Sequence, residues 1–542
     1  MWRRWGSGAG PRAAAAKASA GLTAVSLALS AAACVGSNGT GDREAARSGA
    51  ARPGAECPAV KAPDGSSGRE LRGMWIATVG GGDWPSAHGP AARQRADYRR
   101  LLDIAKKRHL NAVFVQIRPS ADAFYPSPYE PWSQWITGEQ GRDPGYDVLG
   151  YMLKEAHARG LDFHAWFNPY RVSRQRHLKR LAATNPARRH PEWVRRYGTA
   201  LWYDPGLPQV RDLVSKVVLD VVRKYDIDGV HFDDYFYPYP LPADFPDKAT
   251  YRAHGKRFSS KAAWRRDNVN TMVKRISGEV HRAKPWVRFG ISPFGVWRNA
   301  STDRAGSATR ALQSYDDIYA DSRLWVRRNW LDYIVPQLYW PIGDRRADYR
   351  TLTAWWSRQV RGTDVQLEIG HGAYRVGGPG PWRRPAELSR QLDVNDKHRE
   401  VRGDVFFSAR DLAANRLGFA DRLVADHYGR PALIPAAPRR ATGPPPAPPA
   451  GVKATPATRG GQVTLHWRPS GAARYAVYRV EGKRPGCDRI NPHTLLTTAG
   501  GAASVDSSVR PGATYTYYVT AVDRAQRESA PARAATITVP RG

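Results

Sequence analysis

The sequence predicts an α/β protein: a (β/α)8 barrel of the TIM type with enlarged loops, followed by a small all-β sandwich. Apolar strand segments alternate with amphipathic helical segments throughout residues 68–434. A proline-rich stretch, 435–451, separates them from residues 452–542, where short alternating strands have the spacing of a sandwich. An open doubly wound sheet also alternates in this way, but no Gly-rich phosphate loop supports it.

Each element of the predicted barrel is recognised by its hydrophobic period. The strand segments are 70–79, 111–119, 161–169, 229–233, 286–295, 331–340, 364–374 and 403–409. The helical segments are 94–108, 146–159, 208–225, 265–283, 317–330, 349–361 and 386–400. Eight such units are the number that closes a barrel of this kind.

Polar side chains gather late in the predicted strands, on the side that alternation turns toward the barrel axis. These residues are Gln116, Arg118, His164, Trp166, Asn168, Asp233, Ser292, Gln337, Tyr339 and Glu368. Because active sites of this fold lie at the carboxyl ends of the strands, several strands that agree in this way indicate a site.

The stretch from Asp226 to Tyr239 carries the clearest chemistry. Its strand ends in two adjacent carboxylates, Asp233 and Asp234, followed by tyrosines and prolines. Burying carboxylates beside aromatic rings is costly in a core, whereas aromatic faces and carboxylates together suit a carbohydrate site. The plainer interpretation is an acidic N-cap pair on the following loop.

Composition narrows the class of partner. The 542 residues include 83 Lys and Arg against 49 Asp and Glu, a net charge of +34, and 19 tryptophans. No nucleic-acid motif accompanies the charge, so we expect no nucleic-acid partner but a basic surface that suits an anionic envelope polymer or a membrane. The tryptophans favour a ligand with flat apolar faces.

The first 33 residues predict an export signal. A positive segment with Arg3, Arg4, Arg12 and Lys17 precedes the short apolar run 21–33, and Cys34 follows three alanines. Cys34 is therefore a candidate for lipidation and a membrane anchor, and residues 34–67 for a disordered tether. We expect the mature protein to act outside the cytoplasm. Cys57 and Cys487 remain, and neither a disulfide nor a metal site follows from their spacing.

The C-terminal segment resembles a fibronectin type III domain. The resemblance is carried by Trp467, Tyr475 and the turn before Tyr515, which is similar to that domain's tyrosine corner. We expect a spacer or wall-adhesion module without a catalytic role.

The barrel resembles bacterial glycosyl hydrolase-like family 10. The motifs are RGMW (72–75), QIRPSADAFYPS (116–127), EPWS (130–133), AWFNPYR (165–171), DGVHFDDYFYPYP (228–240), FGISPFGVWRN (289–299) and DYIVPQLYW (332–340). The resemblance implies a hydrolase of bacterial envelope glycans, and peptidoglycan strands without stem peptides as the substrate class. We expect hydrolysis by two carboxylates to need no cofactor.

Glycoside hydrolysis needs an acid and a second carboxylate that attacks or activates water. We predict Asp233 in the second role, with Asp234 as its rival, and Arg118 or His231 as the group that keeps it ionised. For the acid we favour Glu130, set between Pro131 and Trp132, over Glu368 and Asp122.

The remaining candidates would bind substrate. Aromatic candidates for stacking on sugars are Trp132, Trp166, Tyr170, Tyr235, Tyr237, Tyr339 and Trp340. Polar candidates are Gln116, Arg118, Asp122, Asn168, Arg171, Ser292 and Gln337. A glycan-binding scaffold without turnover and a glycosidase for another extracellular polysaccharide stay open as alternatives. A metal-dependent deacetylase is disfavoured, since the candidate histidines lie on separate strands without ligand spacing.

Overall fold

The structure, a computed structural model, describes residues 68–86, 88–457, 461–483 and 490–541. The predicted signal peptide (1–33), Cys34 and the tether (34–67) lie outside these residues, as do Cys57 and Cys487. In the described part of the chain, no helix is both long and apolar enough to cross a membrane.

Eleven strands precede the proline-rich stretch in the described residues. They are β1 (Leu71–Ile76), β2 (Ala112–Arg118), β3 (Asp162–Phe167), β4 (Arg171–Ser173), β5 (Val194–Tyr197), β6 (Ala200–Tyr203), β7 (Gly229–Phe232), β8 (Arg288–Ile291), β9 (Tyr333–Ile334), β10 (Gln366–His371) and β11 (Val401–Phe406). Eight of them close a parallel barrel in the order β1-β11-β10-β9-β8-β7-β3-β2, which confirms the predicted fold class.

Helices surround the barrel. They are α1 (Ala91–Lys107), α2 (Gln134–Thr137), α3 (Val148–Ala158), α4 (Pro186–Arg189), α5 (Pro208–Lys224), α6 (Lys248–His254), α7 (Lys261–Ala283), α8 (Ser314–Asp317), α9 (Ser322–Arg327), α10 (Tyr349–Val360), α11 (Glu387–Asn395), α12 (Ala409–Ala414) and α13 (Phe419–Asp426). The sequence did not predict α12 and α13, which follow the last barrel strand.

Alternation along the strands builds two cores. On β2, Val113, Val115 and Ile117 join the large apolar cluster that the strands share with the helices. Phe114 faces the other way and packs inside the barrel with residues such as Trp75. Strands of a parallel barrel are covered on both faces, which is why these segments are apolar almost throughout.

The small sheet β4-β6-β5 is an insertion after β3 that the sequence did not predict. Its three strands pair antiparallel, so the chain between β3 and α5 folds back on itself instead of running directly to the helix. The insertion lies at the end of the barrel where β3 finishes.

The C-terminal module has seven strands in its described residues. They are β12 (Ala450–Pro456), β13 (Val463–Arg468), β14 (Arg474–Glu481), β15 (Leu495–Ala499), β16 (Ala503–Asp506), β17 (Thr514–Val522) and β18 (Ala535–Thr538). The sheets β12-β13-β16 and β15-β14-β17-β18 form a sandwich of the fibronectin type III kind. The Tyr515 hydroxyl accepts a hydrogen bond from the Arg510 backbone N–H at 3.1 Å, as a tyrosine corner does.

This module contacts the end of the barrel where the strands begin. Asp162, the first residue of β3, accepts hydrogen bonds from the Arg474 guanidinium and from Gln526 Nε2, the latter at 3.0 Å. Arg440, from the proline-rich stretch, pairs with Asp332 just before β9 at 2.5 Å. The candidate active site lies at the opposite end of the barrel, where the strands finish.

Candidate active site

Asp233 and Asp234 lie side by side where β7 ends, and both are buried. Asp233 Oδ2 accepts a hydrogen bond from Asn168 Nδ2 at 2.9 Å. Since β3 and β7 are neighbours in the barrel and Asn168 directly follows β3, the two side chains meet at the same level. Asp234 Oδ2 accepts from the Tyr239 hydroxyl. The second oxygen, Oδ1, of each aspartate has no hydrogen-bond partner among the described residues.

Burial is the largest influence on both carboxyl groups, and it raises both pKa values above the ordinary range. For Asp233 the charge of Asp234 raises the pKa further, and Arg171 only partly offsets it. For Asp234 the hydrogen bond from Tyr239 is the strongest opposing effect. The pair is therefore suited to holding one proton near neutral pH, with Asp234 the more readily ionised member.

Arg171 organises this part of the site. Its Nη1 donates to the Tyr235 hydroxyl at 2.5 Å, and its Nε and Nη2 donate to the Pro119 carbonyl at 3.1 and 2.9 Å. Its backbone N–H donates to Asn168 Oδ1 at 2.9 Å. The Asn168 carboxamide is thus oriented with its amino group toward Asp233. The positive charge that stabilises ionised Asp233 comes from Arg171, not from Arg118 or His231 as predicted.

Aromatic rings line the mouth beside the pair. Tyr239 contacts Phe294 with ring centroids 6.2 Å apart, and Phe294 meets Trp340 edge-on at 5.4 Å. Tyr339 stacks on Phe407 at 6.2 Å. Such rings can stack on the apolar faces of sugars. Of them, only Tyr339 and Trp340 were candidates from the sequence. Phe294 and Phe407 also lie in predicted strands, and the parity that Phe294 shares with Ser292 is a signal that could have found it.

Other residues predicted from the sequence form hydrogen bonds around the site. Gln337 Nε2 donates to the Ser292 carbonyl at 2.9 Å, and its amide lies close enough to Asp234 to lower that pKa. The Ser292 hydroxyl lies 3.0 Å from His231 Nε2. Gln116 Oε1 accepts from the backbone N–H groups of Thr78 and Val79 at 3.1 and 3.0 Å. Trp166 borders Asp233, where its indole opposes the rise in pKa.

Glu130, the favoured acid, occupies a different environment from the expected one. Its carboxylate forms a bidentate ion pair with Arg118, at 2.7 Å from Nε and 2.5 Å from Nη2, with both side chains fully buried. Arg118 also donates to the Pro169 carbonyl at 3.1 Å. An ionised carboxylate held by two charge-assisted hydrogen bonds is a poor proton donor, so this geometry argues against the acid role.

The other acid candidates, Asp122 and Glu368, form no hydrogen bond with Asp233 or Asp234 among the described residues. Asp122 accepts from the Ser120 backbone N–H at 3.2 Å and Gln140 Nε2 at 3.4 Å, and burial raises its pKa to about 7. Glu368 lies in the barrel interior, 3.6 Å from Arg288, and burial raises its pKa to about 7. Trp132 is half-buried in the same loop as Glu130.

Tyr170 and Tyr237 are part of the core rather than the mouth, which corrects their predicted role as sugar platforms. Tyr170 is fully buried and packs near Phe236. Tyr237 is almost fully buried against Phe245 and Tyr319. Alternation does not extend beyond the end of a strand, so loop residues cannot be assigned a side from the sequence. In the described residues no cluster of His, Cys, Asp and Glu is placed to hold a metal ion.

Paired carboxylates beneath aromatic rings, at the carboxyl end of a closed parallel barrel, place the protein in the class of glycosidase-like (β/α)8 barrels. Comparison with known families agrees, since residues 70–384 match the family described as "Glycosyl hydrolase-like 10". The chain belongs to this family.

Relatives with curated names extend the comparison. The chain is 46% identical over 475 residues to "Glycosyl hydrolase YngK" of Bacillus subtilis (strain 168), covering 85% of this chain and 92% of the relative. It is 42% identical over 365 residues to "Glycosyl hydrolase DigH" of Escherichia coli (strain K12), covering 63% and 83%. Among solved structures, the PgaB (BpsB) glycoside hydrolase domain from Bordetella bronchiseptica has a TM-score of 0.43 at 14% identity, covering 66% of this chain and 97% of that domain.

Proposed function

We propose that the protein is a glycoside hydrolase that cleaves peptidoglycan strands lacking stem peptides, with Asp233 and Asp234 as its two catalytic carboxylates. The observation that carries the proposal is the adjacency of these two buried groups at the barrel mouth, each with one oxygen free of internal hydrogen bonds. The named hydrolases among the relatives support the reaction class.

In this proposal Asp233 is the acid and Asp234 is the base or nucleophile, which reverses the role predicted for Asp233 from the sequence. Asp233 keeps its proton because it is buried beside a second carboxylate, and it transfers that proton to the leaving glycosidic oxygen. Asp234, stabilised by Tyr239, attacks the anomeric carbon or removes a proton from the attacking water. Arg171 and Asn168 hold the pair in position.

We also propose that the protein acts outside the cytoplasm, held at the membrane by a lipid on Cys34. The basis is the N-terminal sequence, with its positive segment, apolar run and cysteine. Labelling with a palmitate analogue tests the anchor. We expect incorporation into the wild type and its loss in Cys34→Ala, and an unlabelled wild type would contradict it.

The activity is tested with the full mature chain and two polymers, amidase-stripped strands and intact peptidoglycan. Soluble oligosaccharides, read by mass spectrometry, are expected from the stripped strands. Asp233→Asn and Asp234→Asn are each expected to lower the rate at least a hundredfold. Asp103→Asn, which alters an exposed ion pair on α1, is the matched control and should keep wild-type activity. Strand binding without products would contradict hydrolysis and favour a glycan-binding scaffold.

A further inference from the structure

The insertion formed by residues 171–203, here called the basic subdomain, is strongly charged. Between Arg174 and Arg196 it has eight Lys and Arg residues and one acidic residue, Glu192. That balance is far more basic than that of the chain as a whole, which has 83 Lys and Arg against 49 Asp and Glu. The local excess of charge therefore calls for an explanation beyond overall composition.

Seven of these cations are exposed and have no carboxylate partner within the described residues. They are Arg174, Arg176, Lys179, Arg180, Arg188, Arg189 and Arg196. The eighth, Arg195, pairs with Asp204 at 2.8 Å, and Glu192 is engaged by His190 at 3.1 Å. Elsewhere exposed arginines do find partners: Arg510, for example, pairs with Glu481 at 2.5 Å.

The basic subdomain lies against the site. Its first residue, Arg171, bonds the Tyr235 hydroxyl, and Trp202 on β6 meets the Tyr235 ring edge-on with centroids 5.7 Å apart. Arg174 reaches the loop after β1, where a Cβ on Gly80 would lie 2.7 Å from its Nη1. The basic subdomain therefore borders the mouth that holds the two aspartates, and Arg174 is an unpaired cation that reaches a loop of that mouth.

We propose that the basic subdomain binds the free lactyl carboxylates of the strand as it leaves the cleft. This rests on the proposed function. A stem peptide is joined to the lactyl group of muramic acid through an amide, so its removal exposes one carboxylate at each muramic acid. Several cations acting on a regularly charged strand add up, although one exposed pair contributes little, and the attraction weakens with salt.

The test changes charge on the enzyme and on the substrate. The variant carries Arg176→Glu, Lys179→Glu and Arg180→Glu, and the control carries Lys453→Glu, Arg468→Glu and Arg533→Glu, an equal change on exposed residues of the C-terminal module. The substrates are stripped strands and the same strands with their carboxylates converted to methyl amides. On carboxylate strands we expect the variant's KM to rise at least tenfold with kcat within twofold. On the methyl amide strands the variant and the wild type should have the same KM.

Equal KM values for variant and wild type on carboxylate strands would overturn the proposal. An equal rise in the variant's KM on both substrates would also overturn it. Binding of both strands is also measured by co-sedimentation with Asp233→Asn, with and without the three reversals. If the wild type releases nothing, the proposed function fails, and the binding measurement alone then decides whether the basic subdomain recognises the carboxylates. Thermal unfolding of each variant checks that the fold is intact.

Discussion

At the scale of single residues, two adjacent aspartates differ only through what surrounds them. Both are buried, yet Asp234 receives a hydrogen bond from Tyr239 while Asp233 is raised further by its neighbour's charge. Identical groups can therefore take different roles in one reaction, since the environment separates their pKa values.

Tyr239→Phe should move the acid limb of the kcat/KM profile to higher pH. The hydroxyl donates to Asp234 and so favours its ionised form, and removing it raises the pKa of Asp234. A shift of about one pH unit corresponds to the strength of a hydrogen bond to a charged group. The pH–rate profile on stripped strands measures it, and an unmoved acid limb would show that Asp234 is not the group that must ionise.

Glu130→Gln should lower stability rather than act on the chemical step. It leaves the buried Arg118 guanidinium without its counter-charge, and removing one partner of such a pair costs about 3–5 kcal/mol. Denaturant unfolding measures the loss. Glu139→Gln, on the exposed part of the same loop, is the control and should change stability by less than about 0.5 kcal/mol. Unchanged stability with abolished turnover would return Glu130 to the role of acid.

At the scale of elements, the sheet β4-β6-β5 is the part of the basic subdomain that contacts the site. Trp202 on β6 packs against Tyr235, whose hydroxyl is bonded by Arg171 at the start of β4. Tyr235 directly follows Asp233 and Asp234, so the position of the small sheet affects the loop that holds these two residues.

Trp202→Ala should lower kcat/KM about tenfold, the effect of a misplaced positioning group. It should also lower stability by about 3 kcal/mol through lost packing. Trp202→Phe keeps an aromatic edge against Tyr235 and should recover most of both. Steady-state kinetics and thermal unfolding measure the pair of variants. Full activity in a destabilised Trp202→Ala would show that the sheet does not position the site.

At the scale of the whole molecule, stability should depend on pH in two opposite ways. Burial raises the pKa of Asp122 and of Glu368 to about 7, so the folded state gains stability as pH falls from 8 toward 4 and these groups protonate. The pKa of Asp332 is lowered to about 2 through its bonds to His281, the charge of Arg440 and the Phe289 backbone N–H, although burial opposes this. That contribution is present above about pH 4 and is lost as pH falls toward 2.

The stabilising contribution of Asp122 and Glu368 should therefore be largest near pH 4 to 5. Asp122→Asn should reduce the rise between pH 8 and pH 5 by roughly 2–4 kcal/mol, because it removes one group with a raised pKa. Guanidinium unfolding at pH 8, 5 and 3 measures both effects. The same pH dependence in Asp122→Asn and the wild type would contradict the raised pKa of Asp122.

By itself the sequence was enough to determine the barrel, its eight strands and the sandwich, and it directed attention to Asp233 and Asp234. These follow from local information. The hydrophobic period identifies each helix or strand, and a residue at the carboxyl end of a barrel strand lies at the end of the barrel where active sites occur. The sequence put Asn168 and Asp233 separately on the inward face of neighbouring strands, and the structure shows the hydrogen bond between them.

Only the tertiary structure decided the positions and partners of the loop residues that follow the strands. In the loops, Glu130 pairs with Arg118, and Tyr170 and Tyr237 are buried in the core. The Tyr239 hydroxyl donates a hydrogen bond to Asp234. Alternation fails in loops, and the partner of a buried charge depends on packing between distant segments rather than on its neighbours in the chain. The local pattern therefore located the site, while long-range packing assigned its residues.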